Sequence, residues 1–422
     1  MPNISHVVIP GIMRNLTTEE TIQQTQQAFS ALIQELTTNR SGQGNATTKV
    51  TARAPEVERF EGEDSLDAVN IMNRKYLDRD WGDGFPLIPA TAPAVERMLK
   101  GTSLPPEHIL CDLPPGEGLA TVEKVAINSV MAGALPEHMP VIIAAVKAVS
   151  QFDKEAAASF LMGTSAHACF LLVNGPIARD LHINSRAAMG PGRANQANLV
   201  IGRAFTLCLK NIGAWYPDHF DMDVIGSVRK FTVCVAENEE ESPWEPFHVE
   251  QGFQPEDSVV TVLITRGEVD VSDQGNPTAE LLLKNIAYNS IFSTWDMTAV
   301  GGNVHKGSAW NTIILASPDF IKPVAKEGFT KRQAKEFIHH HAKFSLGKMM
   351  ITRPLDKETI APQWRWLLDL SQKERDEITM PVRESPDRYH IICVGGTRSK
   401  IVIMPGHPGR HQSVRIDQYR LG

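Results

Sequence analysis

Hydrophobic positions follow different periods along this chain, and each period predicts an element. After Thr18-Glu19-Glu20, the apolar residues Ile22, Ala28, Phe29, Leu32, Ile33 and Leu36 are spaced loosely along one helix face among glutamines. That pattern predicts a surface helix. Residues Thr37 to Ala54 are rich in Thr, Asn, Ser and Gly, which predicts a flexible connection, so the compact protein is expected to start near Asp64. Helical periodicity then marks Leu66 to Leu77, Thr91 to Leu99, Val122 to Ala132 and Pro136 to Val149. Between the first two, Asp80-Trp81-Gly82-Asp83-Gly84-Phe85-Pro86-Leu87-Ile88-Pro89 is too dense in turn formers for a helix or a central strand.

Short Val- and Ile-rich runs take over from Ala168. Ala168 to Val173, Lys230 to Ala236, Val259 to Thr265, Thr312 to Ala316, Ile391 to Val394 and Ile401 to Met404 are strand candidates, the last two as arms of one hairpin. Helices are expected at Leu199 to Ile212, Ala279 to Ser290 and Thr330 to Lys343. This alternation predicts an α/β or α+β protein, with mixed sheets flanked by helices. Three regions are expected: 1–63, a helix and linker; 64–270, a helical plus α/β domain; and 271–422, a smaller α/β domain. A soft boundary falls near Gly267 to Pro277, where charge, Gly and Pro concentrate.

Composition narrows the partners. Lys and Arg number 42 against 49 Asp and Glu, for a net −7, and no basic block is suited to a phosphate backbone, so nucleic acid is not an expected partner. No run of eighteen apolar residues appears, so no membrane partner is expected either. Met1 to Met13 lacks the marks of a secretory signal, and a cytoplasmic location is expected. The five cysteines, Cys111, Cys169, Cys208, Cys234 and Cys393, are odd in number and widely spaced. They predict reduced, buried thiols rather than a disulfide framework or a zinc site.

Two segments carry the candidate chemistry. Gly190-Pro191-Gly192-Arg193-Ala194-Asn195 precedes a helix that begins near Gln196, where unpaired backbone N–H groups and Arg193 could hold an anion. It is neither a dinucleotide fingerprint nor a P-loop, and a tight turn with Arg193 ion-paired on the surface is an equal alternative. The second segment, Cys234 to His248, follows a strand end with Glu237, Glu239, Glu240 and Glu241, then sets Trp244 and His248 between and after prolines. Repulsion among carboxylates and desolvation against an apolar wall raise a carboxyl pKa, which is how a Glu becomes a proton donor near neutral pH. The alternative is a solvated acidic loop anchored by Trp244.

Glu237, Glu239 and His248 are the candidate proton carriers, with Asp83 of the 80–89 loop as a further acid; an Asx-turn is the competing use of Asp83. Gly190, Gly192, Arg193, Asn195, Trp244 and Asn174 are the candidate substrate contacts. His339-His340-His341 lies on one helix, where neighbours point about 100° apart and do not converge on one ion. His305-Lys306 and the pair His407 and His411 are looser candidates. Gly163-Thr164-Ser165-Ala166-His167 sets a hydroxyl close to an imidazole in sequence, but such pairs must converge in space.

Several of these segments resemble a bacterial family of UGSC-like (seleno)proteins. They are Asp80 to Pro86, Ala126 to Glu137, Asn174-Gly175-Pro176-Ile177, Gly190 to Asn195, Ile201-Gly202-Arg203-Ala204 and Ala236 to Phe253, within a likeness over roughly residues 65 to 420. The resemblance brings no secure activity. The family often carries a cysteine where this chain has Ala134, so a thiol mechanism implied by the family is in doubt here, although Cys234 falls where the resemblance suggests another cysteine.

The expectation is an enzyme of the lyase or hydrolase class, acting by acid/base chemistry on a small anionic organic substrate. A thiol-dependent oxidoreductase and a non-catalytic binding or assembly subunit are the alternatives. No cofactor is predicted and a divalent metal is left open. Further copies of the same chain are expected as partners.

Overall fold

The computed structural model describes residues 19, 22–23, 25–29, 33, 57–217, 219–294, 310–349, 362–408 and 411–421. The expected linker at 37–54 and the His305-Lys306 candidate lie outside them. Contacts divide the chain into Met1–Arg59 and Phe60–Gly422. In the first unit the described positions between 19 and 33 are helical.

The second unit opens with helices α1 (Ser65–Leu77) and α2 (Ala92–Leu99), followed by a hairpin of β1 (Ile109–Leu113) and β2 (Gly118–Thr121) that periodicity did not predict. Helices α3 (Val122–Ala132), α4 (Met139–Val149) and α5 (Lys154–Leu161) come next. Local chemistry sets the starts. The Asp64 side chain accepts the Asp67 N–H, and Thr121 accepts that of Lys124, contacts worth about 1 kcal/mol each. Gly133 ends α3 at φ 84°, in the left-handed region that glycine enters without strain. A 3-10 turn, Pro136–His138, leads into α4, whose first residue is Met139.

Next come β3 (Ala168–Asn174), the short helix α6 (Pro176–Asp180), α7 (Gln196–Asn211), β4 (Cys234–Ala236), the single turn α8 (Phe247–Glu250), β5 (Val259–Thr265) and β6 (Val269–Ser272). The chain closes with α9 (Ala279–Thr294), β7 (Trp310–Ala316), α10 (Pro318–Lys326), α11 (Lys331–His341), β8 (Lys343–Ser345), α12 (Leu346–Met349), α13 (Gln372–Glu377), β9 (Thr379–Pro381), β10 (Tyr389–Cys393), β11 (Lys400–Pro408) and β12 (Gln412–Arg415). Lys230 is not part of β4 as its sequence suggests. It ends a 3-10 turn, and its ammonium is ion-paired to Asp221 at 2.7 Å and Asp223 at 2.9 Å.

The protein is α/β. Eight strands form one mixed sheet along the path β10-β7-β11-β5-β3-β4, with β12 paired to β5 and β6 to β11. Ile391 to Val394 and Ile401 to Met404 are not arms of one hairpin: β7 lies between them, parallel to β10 and antiparallel to β11. The seven residues of β7 run from Trp310 to Ala316 with its last six buried, and a strand so apolar on both faces fits the middle of a sheet better than its edge.

The side-chain period of two sorts the core. Leu171 and Val173 of β3 pack with α3, α4 and α7 in one apolar cluster, and Ile314 and Ala316 of β7 pack with α9, α10 and α11 in another. The opposite faces, Phe170 and Leu172 from β3 with Ile313 and Leu315 from β7, meet in a third cluster that includes Phe247. Strands from both sides of residue 270 therefore share one sheet while each side keeps its own helical cover. All seven residues of β5 are buried, and full burial of each Val, Leu or Ile is worth about 1.5–3 kcal/mol. Among the described residues no helix is long and apolar enough to cross a membrane.

Candidate functional site

The parallel neighbours β3 and β4 end side by side, with Val173 opposite Ala236. Loops leaving the carboxyl ends of parallel strands are where open α/β sheets place ligands. Here those loops carry Asn174-Gly175 on one strand and Glu237, Asn238 and Glu239 on the other. Gly175, Glu237, Asn238 and Glu239, with Arg179, His182, Asn184 and Arg186, line a cleft of ≈ 350 Å³, and Asn174 is buried beneath it.

Asn174 joins two carboxylates. Its Nδ2 donates to Glu237 Oε2 at 2.7 Å and to Glu239 Oε1 at 2.9 Å. The backbone N–H of Gly175 donates to the same Glu239 oxygen at 2.8 Å. Glycine is required at 175: φ is 84°, and a Cβ there would lie 2.2 Å from the Asp257 carbonyl oxygen. The N–H of Phe247, first residue of α8, donates to Glu237 Oε2 at 2.7 Å. These protein donors thus fall on Oε2 of Glu237 and on Oε1 of Glu239.

Glu237 is buried, and that burial raises its pKa. The charge of Lys331 and the donors Phe247 and Asn174 pull the other way without cancelling the rise, and Glu239 adds to it. Glu239 keeps partial exposure, its side chain 18% accessible. His248 is fully buried behind it, with Nδ1 3.9 Å from Glu239 Oε1 and, among the described residues, no hydrogen bond at either ring nitrogen. It does not line the cleft.

The facing wall is braced by an asparagine network in which sequence reasoning singled out Asn195 but missed Asn184 and Asn198. Asn198 on α7 accepts the Asn184 N–H at 2.8 Å and donates to the carbonyls of Asn184 and Cys234, both at 3.0 Å. Asn184 Nδ2 in turn donates to Asn195 Oδ1 at 2.7 Å. The spacing of 14 residues between Asn184 and Asn198 was the available signal, but amides so far apart have no local rule that pairs them. On the third side, the Asn238 N–H donates to the Cys393 carbonyl at 2.8 Å, and the Gly395 N–H donates to that of Ser185 at 2.8 Å. The far end of the sheet thereby closes the wall.

The glycine-rich turn contributes less than its sequence promises. Arg193–Asn195 is a 3-10 turn ahead of α7, and Ala194 is the part of it that lines the cleft. Gly190 has open space where a Cβ would stand, and Gly192 takes φ 148°. Arg193 is exposed. Asn195 is buried with its side chain committed inward, donating to the Ala188 carbonyl at 2.9 Å and accepting from Asn184. It holds the loop rather than a ligand.

Two other expected site residues are occupied elsewhere. Asp83 accepts from Arg203 Nε at 2.7 Å and Nη2 at 3.0 Å, and from the Phe85 N–H at 3.1 Å. It is a structural ion pair with the Asx-turn that its neighbours suggest, outside the cleft lining. Trp244 packs on the second apolar cluster and donates its indole N–H to the Phe329 carbonyl at 2.9 Å.

Beneath Phe247 lies a charged group that periodicity had assigned only to a helix face. Lys331 and Lys335, both buried, share Glu250, whose Oε2 lies 2.8 Å from Lys331 Nζ, while Lys335 holds Oε1. Burial alone would raise the Glu250 pKa, but the two ammonium charges outweigh it and keep the carboxyl low. The histidine run of α11 diverges as helical geometry requires: His339 meets the Arg383 carbonyl, while His341 stacks on Phe337. Among the described residues no group of three or more His, Cys, Asp or Glu is placed to hold a metal ion. Comparisons with family models, curated proteins and solved structures find no match to this chain.

Proposed function

We propose that this chain is an enzyme that moves protons on a small organic substrate held in the cleft between Gly175 and Glu237-Asn238-Glu239, in a lyase or hydrolase reaction. The observation that carries this is the carboxyl pair bridged by Asn174: one member buried and raised in pKa, the other partly exposed and held by two donors on a single oxygen. Environments that push two titratable groups apart divide the acid from the base. The raised pKa of Glu237 favours its protonated form, and because its donors sit on Oε2, the proton belongs on Oε1. Glu239 takes both of its donors on Oε1 and offers Oε2 as the base.

His248 acts on Glu239 from behind, as a positioning residue. The guanidinium of Arg179 on the cleft wall, with Arg193 next to the lining residue Ala194, supplies positive charge for an anionic substrate. Arg186 is already drawn to Glu240 at 3.0 Å. The thiol alternative loses support: burial raises the pKa of Cys169, Cys234 and Cys393 to about 12 each, so none offers a thiolate near neutral pH. Kinship with UGSC-like (seleno)proteins is part of this proposal and adds no reaction to it.

The test is carbon–hydrogen exchange in deuterated water, followed by NMR over a panel of small carboxylates and phosphate esters. Exchange or turnover of one compound by the native protein, lost in Glu239→Gln and strongly reduced in Glu237→Gln, is expected. A compound turned over equally by both variants would remove the assignment.

A further inference from the structure

At the other end of β3 from Asn174, the chain pairs a serine with a histidine. Ser159 Oγ lies 2.9 Å from His407 Nε2. The seven residues of β3 separate this end from the cleft by about 20 Å, and none of the cleft residues takes part. Ser159 is exposed in the last turn of α5, whereas His407, on β11, is 4% exposed. Three rings fix the imidazole: Phe160 at 5.6 Å, His167 at 4.6 Å and Trp310 at 5.7 Å between centroids. A ring so enclosed has little rotational freedom, and its Nε2 is aimed at the hydroxyl of an exposed serine.

The surroundings suit the development of negative charge. Arg266 stacks over Trp310, its guanidinium carbon 4.2 Å from the ring centroid, and Arg229 Nη2 donates to the Arg266 carbonyl at 2.9 Å. His167 stays neutral, since burial first, then the nearby His407 and Arg266, push it down to about 3. It therefore walls the base without competing for its proton. The sequence offered Ser165 and His167 as a local hydroxyl and imidazole; the pair that converges is Ser159 with His407, 248 residues apart.

We propose that Ser159 and His407 form a nucleophile and base pair that cleaves small carboxylic esters, an activity separate from that of the carboxylate cleft. Ser159 Oγ bonds to the ester carbonyl carbon as its proton passes to His407 Nε2. The bond to the alcohol oxygen breaks, and the departing alcohol takes that proton. Water then attacks the acyl carbon and gives a proton to His407, which returns it to Ser159 Oγ as the carboxylic acid leaves. The positive charge of Arg266 favours esters whose acyl part is anionic.

The experiment uses the full chain with a fluorophosphonate probe and p-nitrophenyl acetate. A single adduct on Ser159, identified by peptide mass spectrometry, is expected. Ester hydrolysis should fall on the order of a hundredfold or more in Ser159→Ala, which removes one hydroxyl and its hydrogen bond to His407 and should lower the melting temperature little. His407→Gln should slow labelling of an intact Ser159, and Ser165→Ala should label as the native chain does. Labelling elsewhere, no adduct on the folded protein, or wild-type hydrolysis by Ser159→Ala would each overturn the proposal. Since Glu239 plays no part, these outcomes are independent of those at the cleft.

Discussion

Asp83 and Glu239 are both loop carboxylates met by nitrogen donors, and they end in opposite states. Asp83 uses both oxygens, one for each arm of the Arg203 fork, and its side chain is 1% exposed. Glu239 receives its donors on Oε1 and keeps 18% of its side chain accessible. A carboxylate saturated by a guanidinium holds a structure together. One anchored by a single oxygen can still accept a proton. Residue type and loop composition do not distinguish the two; the partner does.

Breaking each member of this comparison has a different signature. Asp83→Ala leaves the guanidinium of Arg203, only 14% exposed, without its counter-charge, and should cost about 3 kcal/mol of stability, read by urea unfolding, while the cleft stays intact. Asn174→Ala takes a donor from both cleft carboxylates at once and should cost about 1–3 kcal/mol. Unlike Asp83→Ala, it should also shift the pH dependence of any activity, because the two acids lose their common partner.

Glu237→Gln sharpens the contrast through pH. Its folded pKa lies above the unfolded value, so the native state binds the proton more tightly. The stability this gives is fully present below about pH 4.3 and is lost as pH rises through the folded pKa. Glutamine keeps an oxygen to accept from Asn174 and Phe247 but has no carboxyl to ionise, so the variant's unfolding free energy should fall less over that window. Arg193→Ala is the smallest change: an exposed side chain whose loss should alter stability by less than about 0.5 kcal/mol and raise KM for an anionic substrate without lowering kcat.

Much of the helical half was legible because its signals are local. The turn-rich 80–89 loop and the apolar stripes of α1 to α4 all act within a few residues of themselves. Strand partners were not: Ile391 to Val394 and Ile401 to Met404 look like neighbours until β7, from far earlier in the chain, is inserted between them. The site divides the same way. Glu237 and Glu239 were readable as carboxylates at a strand end, and Asn174 as a polar residue ending another. Asn184, Asn198 and the Ser159–His407 pair were not, since each is defined by a contact made across the fold. Trp244 and Asn195 were readable as site neighbours, but which way each side chain turns is set by partners across the fold, Phe329 for one and Asn184 and Ala188 for the other.

The claim on which the cleft rests is that Glu237 holds its proton where ordinary carboxyls have lost theirs. Infrared difference spectroscopy of the carboxyl stretch, native chain against Glu237→Gln across a pH titration, reads this without a substrate. A protonated-carboxyl band assigned to Glu237 that persists well above about pH 4.3, and that moves in Asn174→Ala, is the expected result. Ionisation of Glu237 together with the surface carboxylates would contradict it.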